Sequence, residues 1–399
     1  MNKPSSASAT RPEALFLSPE SPYPPIGGGP LRSASLLEYL SCYHTVDLVT
    51  FSEAGQPDPS AAIPPGKVRR ADAVALPYHS RRMAARLMRN ARRALRAAPP
   101  LVDRFSGFDG RVESLLEGRR YELGIIEHFW CAGYVQLVRA RAKQVVLDLH
   151  NIESLWHESL AVGQSPFRAA ALRRFATAAR RLEQKLWPQF DVILVASEHD
   201  ASRVRPLARG SQVVVYPNAL PEIPLPAKIE REEIVFSGNL EYEPNIEAIR
   251  YFRRNMWPLL RFRPGLKWRI IGKNPGSVRA LVSADSRIEL SGPVSDAVTE
   301  LARSQVAVVP VLSGSGTRLK ILEAWAAATA VVSTTFGAEG LGQAGEHLLV
   351  GDNPRDFAAL VLRLLDSPEE RRRLGSAGRQ LYEQSYTWPA AWQRLQGIF

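Results

Sequence analysis

Short apolar runs alternate with helix-forming stretches along the 399 residues, and they do so in two series. The first series reads as strands at Ala14–Leu17, Val46–Phe51, Leu123–Ile126, Gln144–Leu149 and Val192–Ala196. Helical patterns fall at Leu31–Leu40 and at about 168–186, and residues 53–66, rich in Pro and Gly, read as loop. The second series places strands at Glu233–Ser237, Trp268–Ile271, Arg287–Leu290, Val306–Val311 and Ala330–Ser333. Between them lies YPNALPEIPLPAK (Tyr216–Lys228), whose four prolines suit a stiff linker or hinge. Strands that alternate with helices build parallel sheets with crossover helices. The expectation is therefore an α/β chain with two domains in tandem: residues 1–215, a hinge at 216–232, and residues 233–385. Residues 386–399 read as a final helix, with Trp388 and Trp392 at helical spacing, packing back towards the first domain.

Composition narrows the classes. Hydrophobic residues make up 45% and charged residues 23%, enough for large cores and unlike a disordered chain. Two cysteines, Cys42 and Cys131, exclude a disulfide framework, and no Cys/His cluster has the spacing of structural zinc. Ala14–Leu17 is too short for a signal-peptide core, and no apolar run approaches the roughly 18 residues that span a bilayer. The expected location is cytoplasmic, with peripheral contact at the inner face of a membrane left open. The net charge of +11 favours anionic partners: phosphates, nucleic acid or a lipid surface.

The strongest local signal is VAVVPVLSGSGTRLKILEAWAAA (Val306–Ala328). It is an apolar strand, a loop of small residues, then a helix expected to start near Thr317. Gly314 and Gly316 permit a tight turn and close approach to a ligand. The first helix amides form an anion site, and Arg318 and Lys320 add charge suited to a diphosphate. The segment is not a Walker loop and lacks the third glycine of the dinucleotide fingerprint. An ordinary turn with a Lys320–Glu323 pair on a helix face remains the alternative reading.

GSGTRLKILEAWAAATAVVSTTFGAEGL (Gly314–Leu341) resembles the donor-site segment of the family 4 glycosyltransferases, nucleotide-sugar enzymes of the GT-B fold. FSGNLEYEPNIEAIRYF (Phe236–Phe252), WRIIGKNP and IELSGPVSD are similar to that family and follow in its order. In the first half VVLDLHNIESLW (Val145–Trp156) and Gly27–Gly29 resemble the loops of the acceptor domain. The resemblance implies two Rossmann-like domains facing across a cleft. The first would bind the acceptor and the second the nucleotide-sugar donor. It implies retention at the anomeric carbon, no obligatory metal and no cofactor beyond the donor. The chain has no Asp-x-Asp, so helix amides and cationic side chains would stabilise the leaving diphosphate.

The resemblance also implies residue roles. Glu323 would bind the donor ribose. Ser315 stands where relatives place a Glu that contacts the transferred sugar, and Gly316 and Thr317 complete that turn. Gly238 and Asn239 would line the donor loop. Relatives carry an Arg and a Lys there; here Asn239 and Asn245 take those places, which shifts the phosphate duty to Arg318 and Lys320. Gly292 and Val294 would lie against the base. His150 would bond a sugar hydroxyl near the anomeric centre, with His128 in a similar strand-end place. Gly27, Gly28 and Gly29 would form a loop lining the cleft, meeting the diphosphate when the domains close. His150, Glu153 and His157 would share one face for a metal only on a continuous helix, and none is expected because His150 ends a strand.

SRRMAARLMRNARRALRAA (Ser80–Ala98) sets Arg82, Arg86, Arg89, Arg93 and Arg96 along one stripe and Met83, Leu87 and Ala94 towards another. It reads as a basic amphipathic helix able to lie on anionic lipid, or as a solvated face with an apolar core side. It has no aromatic residue for stacking nucleic-acid bases. The expected activity is transfer of a sugar from a nucleoside-diphosphate sugar to an acceptor hydroxyl, in surface polysaccharide or glycolipid synthesis. A sugar-nucleotide epimerase, a non-catalytic nucleotide-sugar binder and a basic nucleic-acid-binding protein are the alternatives.

Overall fold

Strands buried on both faces need helices on both sides, and the apolar runs of this sequence are of that kind. The computed structural model describes residues 11–399 apart from 54, 56, 57, 81, 163, 295 and 315–317. Ser315, Gly316 and Thr317 therefore lie outside the described residues. The chain divides into two compact units: residues 1–196, 200–215 and 396–399, and residues 197–199 and 216–395.

The first unit holds a seven-stranded sheet. Its strands are β1 (Glu13–Ser18), β2 (Thr45–Glu53), β3 (Arg70–Leu76), β4 (Tyr121–Glu127), β5 (Ala142–Leu149), β6 (Val192–Val195) and β7 (Gln212–Val215). Their order is β3-β2-β1-β4-β5-β6-β7, and each pairing is parallel. The second unit holds β8 (Arg231–Ser237), β9 (Lys267–Ile271), β10 (Ile288–Ser291), β11 (Ser304–Val309), β12 (Ala330–Ser333) and β13 (Leu349–Val350). They run parallel in the order β10-β9-β8-β11-β12-β13. Each sheet thus winds outward in two directions from its first strand. The reversal falls between β1 and β4 in one unit and between β8 and β11 in the other. Open α/β sheets bind ligands at that point, outside the carboxyl ends of the strands.

The cores lie between sheet and helices. Leu15, Leu17, Ile126, Leu147 and Ile193 are fully buried in the first. Aromatic rings fill much of the second, with Phe252 and Trp268 centroids 4.6 Å apart. The helices that matter below are α1 (Gly28–Tyr43), α2 (Met83–Arg96), α3 (Glu153–Ala161), α4 (Pro166–Leu186), α5 (Glu243–Tyr251), α6 (Leu319–Ala326) and α7 (Pro368–Ser385).

Three expectations are corrected and one holds. Helix α1 begins at Gly28, so Gly28 and Gly29 belong to a helix end and only Gly27, at φ 103°, precedes it. The final helix covers only Trp388–Trp392, followed by a 3-10 turn at Gln393–Leu395, and Gly397 at φ 75° turns the chain beyond them. As expected, His150 lies before α3 and does not share a helical face with Glu153 and His157. Finally, α2 turns Arg89 and Arg93 inward, while Arg82, Arg86, Arg92 and Arg96 stay exposed. Arg93 is buried with its Nε 2.7 Å from Asp103, whereas Met83, Leu87, Met88 and Leu95 are 64–79% exposed. Ion pairing within its own unit makes this orientation possible, since a buried arginine needs a partner.

Candidate functional site

In the second unit, β8 ends at Ser237 and passes into Gly238 and Asn239, while β11 ends in the loop that leads to α6. These are the two strands at the reversal of the sheet, so their loops face one another. Lys320, on the first turn of α6, donates from Nζ to Asn245 Oδ1 at 2.5 Å, and its ammonium lies 4.5 Å from the centre of the Phe236 ring. Asn245, on α5, in turn donates from Nδ2 to the Asn239 carbonyl at 2.8 Å. Gly238 closes the ring of contacts. A Cβ there would sit 2.8 Å from Asn245 Nδ2 and 3.3 Å from Lys320 Nζ, and the backbone has φ 152°. Glycine therefore brings the main chain against the cation.

One turn further along α6, the Glu323 carboxylate accepts from Ser237 Oγ at 3.2 Å. Lys320 and Glu323 thus engage separate partners on α5 and β8, unlike the simple helix-face pair considered from the sequence. Arg318 caps the helix start, buried, with its guanidinium 5.0 Å from the centre of the Phe336 ring. Ser313 Oγ donates to Glu247 Oε2 at 2.9 Å and fixes the loop before the turn.

Burial dominates the electrostatics here. It pulls the Lys320 ammonium down to about 7, helped by the Arg318 charge and opposed by Glu323. It raises Glu323, with Lys320 and the Ser237 hydroxyl acting against it. Burial lowers Arg318 as well. Three charged groups crowded at one helix start, two of them cationic, make a site that an anion would relieve. Gly292 and Val294 follow β10, two strands out from β8 on the same edge of the sheet. A Cβ at Gly292 would meet nothing within 4 Å.

The first unit has its own cluster at the reversal. Glu127 and Asp148 are opposite one another in the β4–β5 register, and both are fully buried. His150 Nε2 lies 2.7 Å from Glu127 Oε2 and 3.2 Å from Asp148 Oδ2. Arg32, from α1, forks onto Asp148 with Nε at 2.8 Å and Nη2 at 2.5 Å. Ser33 Oγ donates to Glu127 Oε2 at 2.6 Å. The nearest ligand-capable atoms of Glu127, Asp148 and His150 lie within 4.8 Å of one another. Their two carboxylates are answered by a guanidinium and an imidazole.

This arrangement separates the two histidines. Burial alone would lower His150, but its hydrogen bonding to the Asp148 and Glu127 carboxylates outweighs that and holds the ring at about 9, as an imidazolium. Asp148 stays ionised near 2: burial acts against it, and Arg32 and His150 overcome that. Burial and the Asp148 charge push Glu127 up. His128, one residue past β4, is driven well below its usual range by burial and by the charges of His150 and Arg32. It is neutral, and its backbone has φ 61°, a left-handed conformation rare outside glycine. Its ring stacks 4.2 Å from Trp130 and 3.5 Å from His150 between centroids. His128 Nε2 is buried with no hydrogen-bond partner among the described residues. It lies 3.4 Å from where a Gly29 Cβ would be, beside the Glu20 carboxylate.

The structure therefore brings together Lys320, Glu323, Gly238 and Asn239 in one unit, and His150 with the α1 start in the other. Sequence reasoning passed over Ser237, Asn245, Arg32, Asp148 and Glu127 as partners in these clusters. Asp148 and Glu127 did leave a signal. Each is an acid inside or at the end of an apolar parallel strand, where a charge survives only if paired.

Comparison with known proteins agrees with the geometry. The family described as Glycosyl transferases group 1 matches residues 231–367. D-inositol 3-phosphate glycosyltransferase of Nocardiopsis dassonvillei is 28% identical over 307 residues, covering 67% of each chain. Among solved structures, sucrose-phosphate synthase of Thermosynechococcus elongatus superposes with a TM-score of 0.73 at 18% identity, covering 97% of this chain and 98% of the other. HepE of Anabaena, solved with UDP and glucose, gives a TM-score of 0.60 at 13% identity over 97% and 99% of the two chains. The fold is GT-B: two parallel-sheet α/β units of seven and six strands.

Proposed function

We propose that this chain, whose residues 231–367 match the family described as Glycosyl transferases group 1, moves a sugar from a nucleoside-diphosphate sugar to an acceptor hydroxyl with retention at the anomeric carbon. The observation that supports a donor site in the second unit is the Lys320–Asn245–Gly238 contact at the start of α6. Lys320 comes from α6 and reaches the loop after β8, where Asn239 and Asn245 supply no charge of their own. A diphosphate seated there would meet the Lys320 ammonium, Arg318 and the first amides of α6. Glu323, beside Ser237, suits the ribose hydroxyls. The β10 end, at Gly292 and Val294, suits the base.

In the first unit, the neutral His128, whose buried Nε2 has no hydrogen-bond partner among the described residues, is better suited to a sugar hydroxyl than His150. His150 is better suited to holding Glu127 and Asp148 in place. In the proposed step the anomeric C1–O bond to the diphosphate breaks and a C1–O bond to the acceptor forms on the same face. The acceptor proton passes to the departing phosphate oxygen, so no side-chain base is required. The negative charge that develops on the departing diphosphate is met by Lys320 and Arg318, and the proposed reaction needs no obligatory metal. A glycan or lipid-linked acceptor, in surface polysaccharide or glycolipid synthesis, completes the reading. The UDP and glucose of the HepE structure make a uridine nucleotide the first donor to try.

The test is thermal unfolding against UDP, GDP, ADP and dTDP, first with EDTA and then with magnesium. A ligand at about a hundred times its Kd should stabilise by roughly 2.7 kcal/mol. The expected result is a shift with one nucleotide in EDTA, abolished by Lys320→Ala and by Glu323→Ala. No shift with any nucleotide, or a shift that both substitutions leave intact, would remove the donor site from this place. Turnover that yields free sugar instead of a glycoside would favour the epimerase reading.

A further inference from the structure

Helix α2 presents an apolar face to solvent and holds Arg89 and Arg93 against the protein, while Arg82, Arg86, Arg92 and Arg96 stay exposed. Met83, Leu87, Ala91 and Leu95 recur every fourth residue and form one stripe, with Met88 at its edge. All are exposed: Met83 by 78%, Leu87 by 64%, Met88 by 71% and Leu95 by 79%. At about 100° per residue, the stripe lies roughly opposite Ala85, Arg89 and Arg93, the positions that pack inward. Arg93 is anchored to Asp103, Arg89 Nη1 donates to the Ser80 carbonyl at 3.4 Å, and Arg174 of α4 donates from Nη2 to the Leu95 carbonyl at 3.1 Å. The helix is thus pinned by these contacts. Arg86 and Arg92 stand exposed on the two flanks of the apolar stripe.

We propose that α2 docks on an anionic lipid surface, its apolar stripe entering the acyl boundary and its flanking arginines meeting the headgroups. Charge chooses this occupant. Ser80–Ala98 contains seven arginines and no acidic residue, so every charge this segment brings to the rim of the apolar face is positive. Long arginine stems can lie along the acyl boundary while their guanidinium groups remain among the phosphates. No helix among the described residues is long and apolar enough to cross a membrane, so attachment through α2 would be interfacial. This inference does not depend on the sugar-transfer reading.

The experiment is flotation of the full chain with vesicles of phosphatidylcholine alone or with 30% phosphatidylglycerol, repeated for Leu87→Glu/Met88→Glu and Arg86→Gln/Arg92→Gln. The wild type is expected on the anionic vesicles and not on the neutral ones. The glutamate variant should partition about tenfold less or worse, and the arginine variant about fivefold less per charge at low salt. These side chains are exposed, so both variants should keep the wild-type melting temperature and the wild-type response to UDP. That control separates failure here from failure of the donor site. Binding to neither vesicle, equal binding to both, or anionic binding that survives the glutamate pair overturns the proposal. So does a concentration-dependent dimer that the glutamate pair dissolves, which would give this face to a second copy of the chain.

Discussion

At the residue scale, the cluster at the start of α6 is arranged around a lysine that folding alone would rather keep neutral. Burial holds Lys320 near 7, against an ordinary value of 10.5. A residue of this kind is retained at a cost to stability when a ligand needs its charge. Replacing Lys320 by Met keeps most of the volume and removes the titrating group. The variant should melt no lower than wild type in ligand-free buffer at pH 7.5, yet show no nucleotide-induced shift. A fall of several degrees without ligand would mean that Lys320 is chiefly a structural partner of Asn245. The sequence revealed Lys320 and Glu323 because their spacing after a small-residue loop is a local pattern. It did not reveal Asn245 or Ser237 as their partners, which are 75 and 86 residues away in the chain. The same holds for Arg32 and Asp148, separated by 116. Long-range pairing is set by sheet order, and no single segment encodes it.

At the element scale, α6 is placed from beneath by α7. Gly378 of α7 lies against the Trp325 indole of α6, and a Cβ there would overlap its ring atoms; Trp325 is fully buried. Because a tryptophan in a packed core has no room to retreat, Gly378→Ala should cost about 1–3 kcal/mol. Trp325 shares its helix with Lys320 and Glu323, so the strain should also weaken nucleotide binding, although Gly378 touches neither residue. Urea unfolding and nucleotide titration of the same variant check both effects. Lower stability with unchanged affinity would show that α6 holds its site end independently of its packing on α7. The strands that escaped the sequence were β3, β7 and β13. The first two are sheet edges with half-exposed residues, and the third has only two residues. An edge strand needs apolar residues on fewer positions, so its pattern fades. The inward turn of Arg89 and Arg93 on α2 was hidden for a related reason. Helical spacing shows which residues share a face, but an ion pair with Asp103 decides which face is inside.

At the scale of the whole molecule, each unit keeps a strongly perturbed cation at the reversal of its sheet, and the two are perturbed in opposite senses. His150 is raised from 6.5 to about 9 by Asp148 and Glu127 against the pull of burial, so the folded first unit keeps a proton that the unfolded chain loses. Its stabilisation is complete below about pH 6.5 and disappears as pH rises through 9. Glu127, also raised, acts with the same sign. Lys320 is lowered, so the folded second unit sheds a proton that the unfolded chain keeps, and stability there rises with pH from about 7 towards 10.5. Each slope is at most about 1.4 kcal/mol per pH unit for one proton. Between pH 7 and 9 the first unit should therefore weaken while the second strengthens, and a global melting curve would average the two. Hydrogen exchange resolves them. After correction for intrinsic rates, amides of β4 and β5 should open more readily across this range, and those of α6 less readily. His150→Gln should flatten most of the first trend and leave the second, whereas Lys320→Met should do the reverse. Trends of the same sign in both units, or a β4–β5 trend that survives His150→Gln, would mean that the buried clusters do not hold the protons assigned to them.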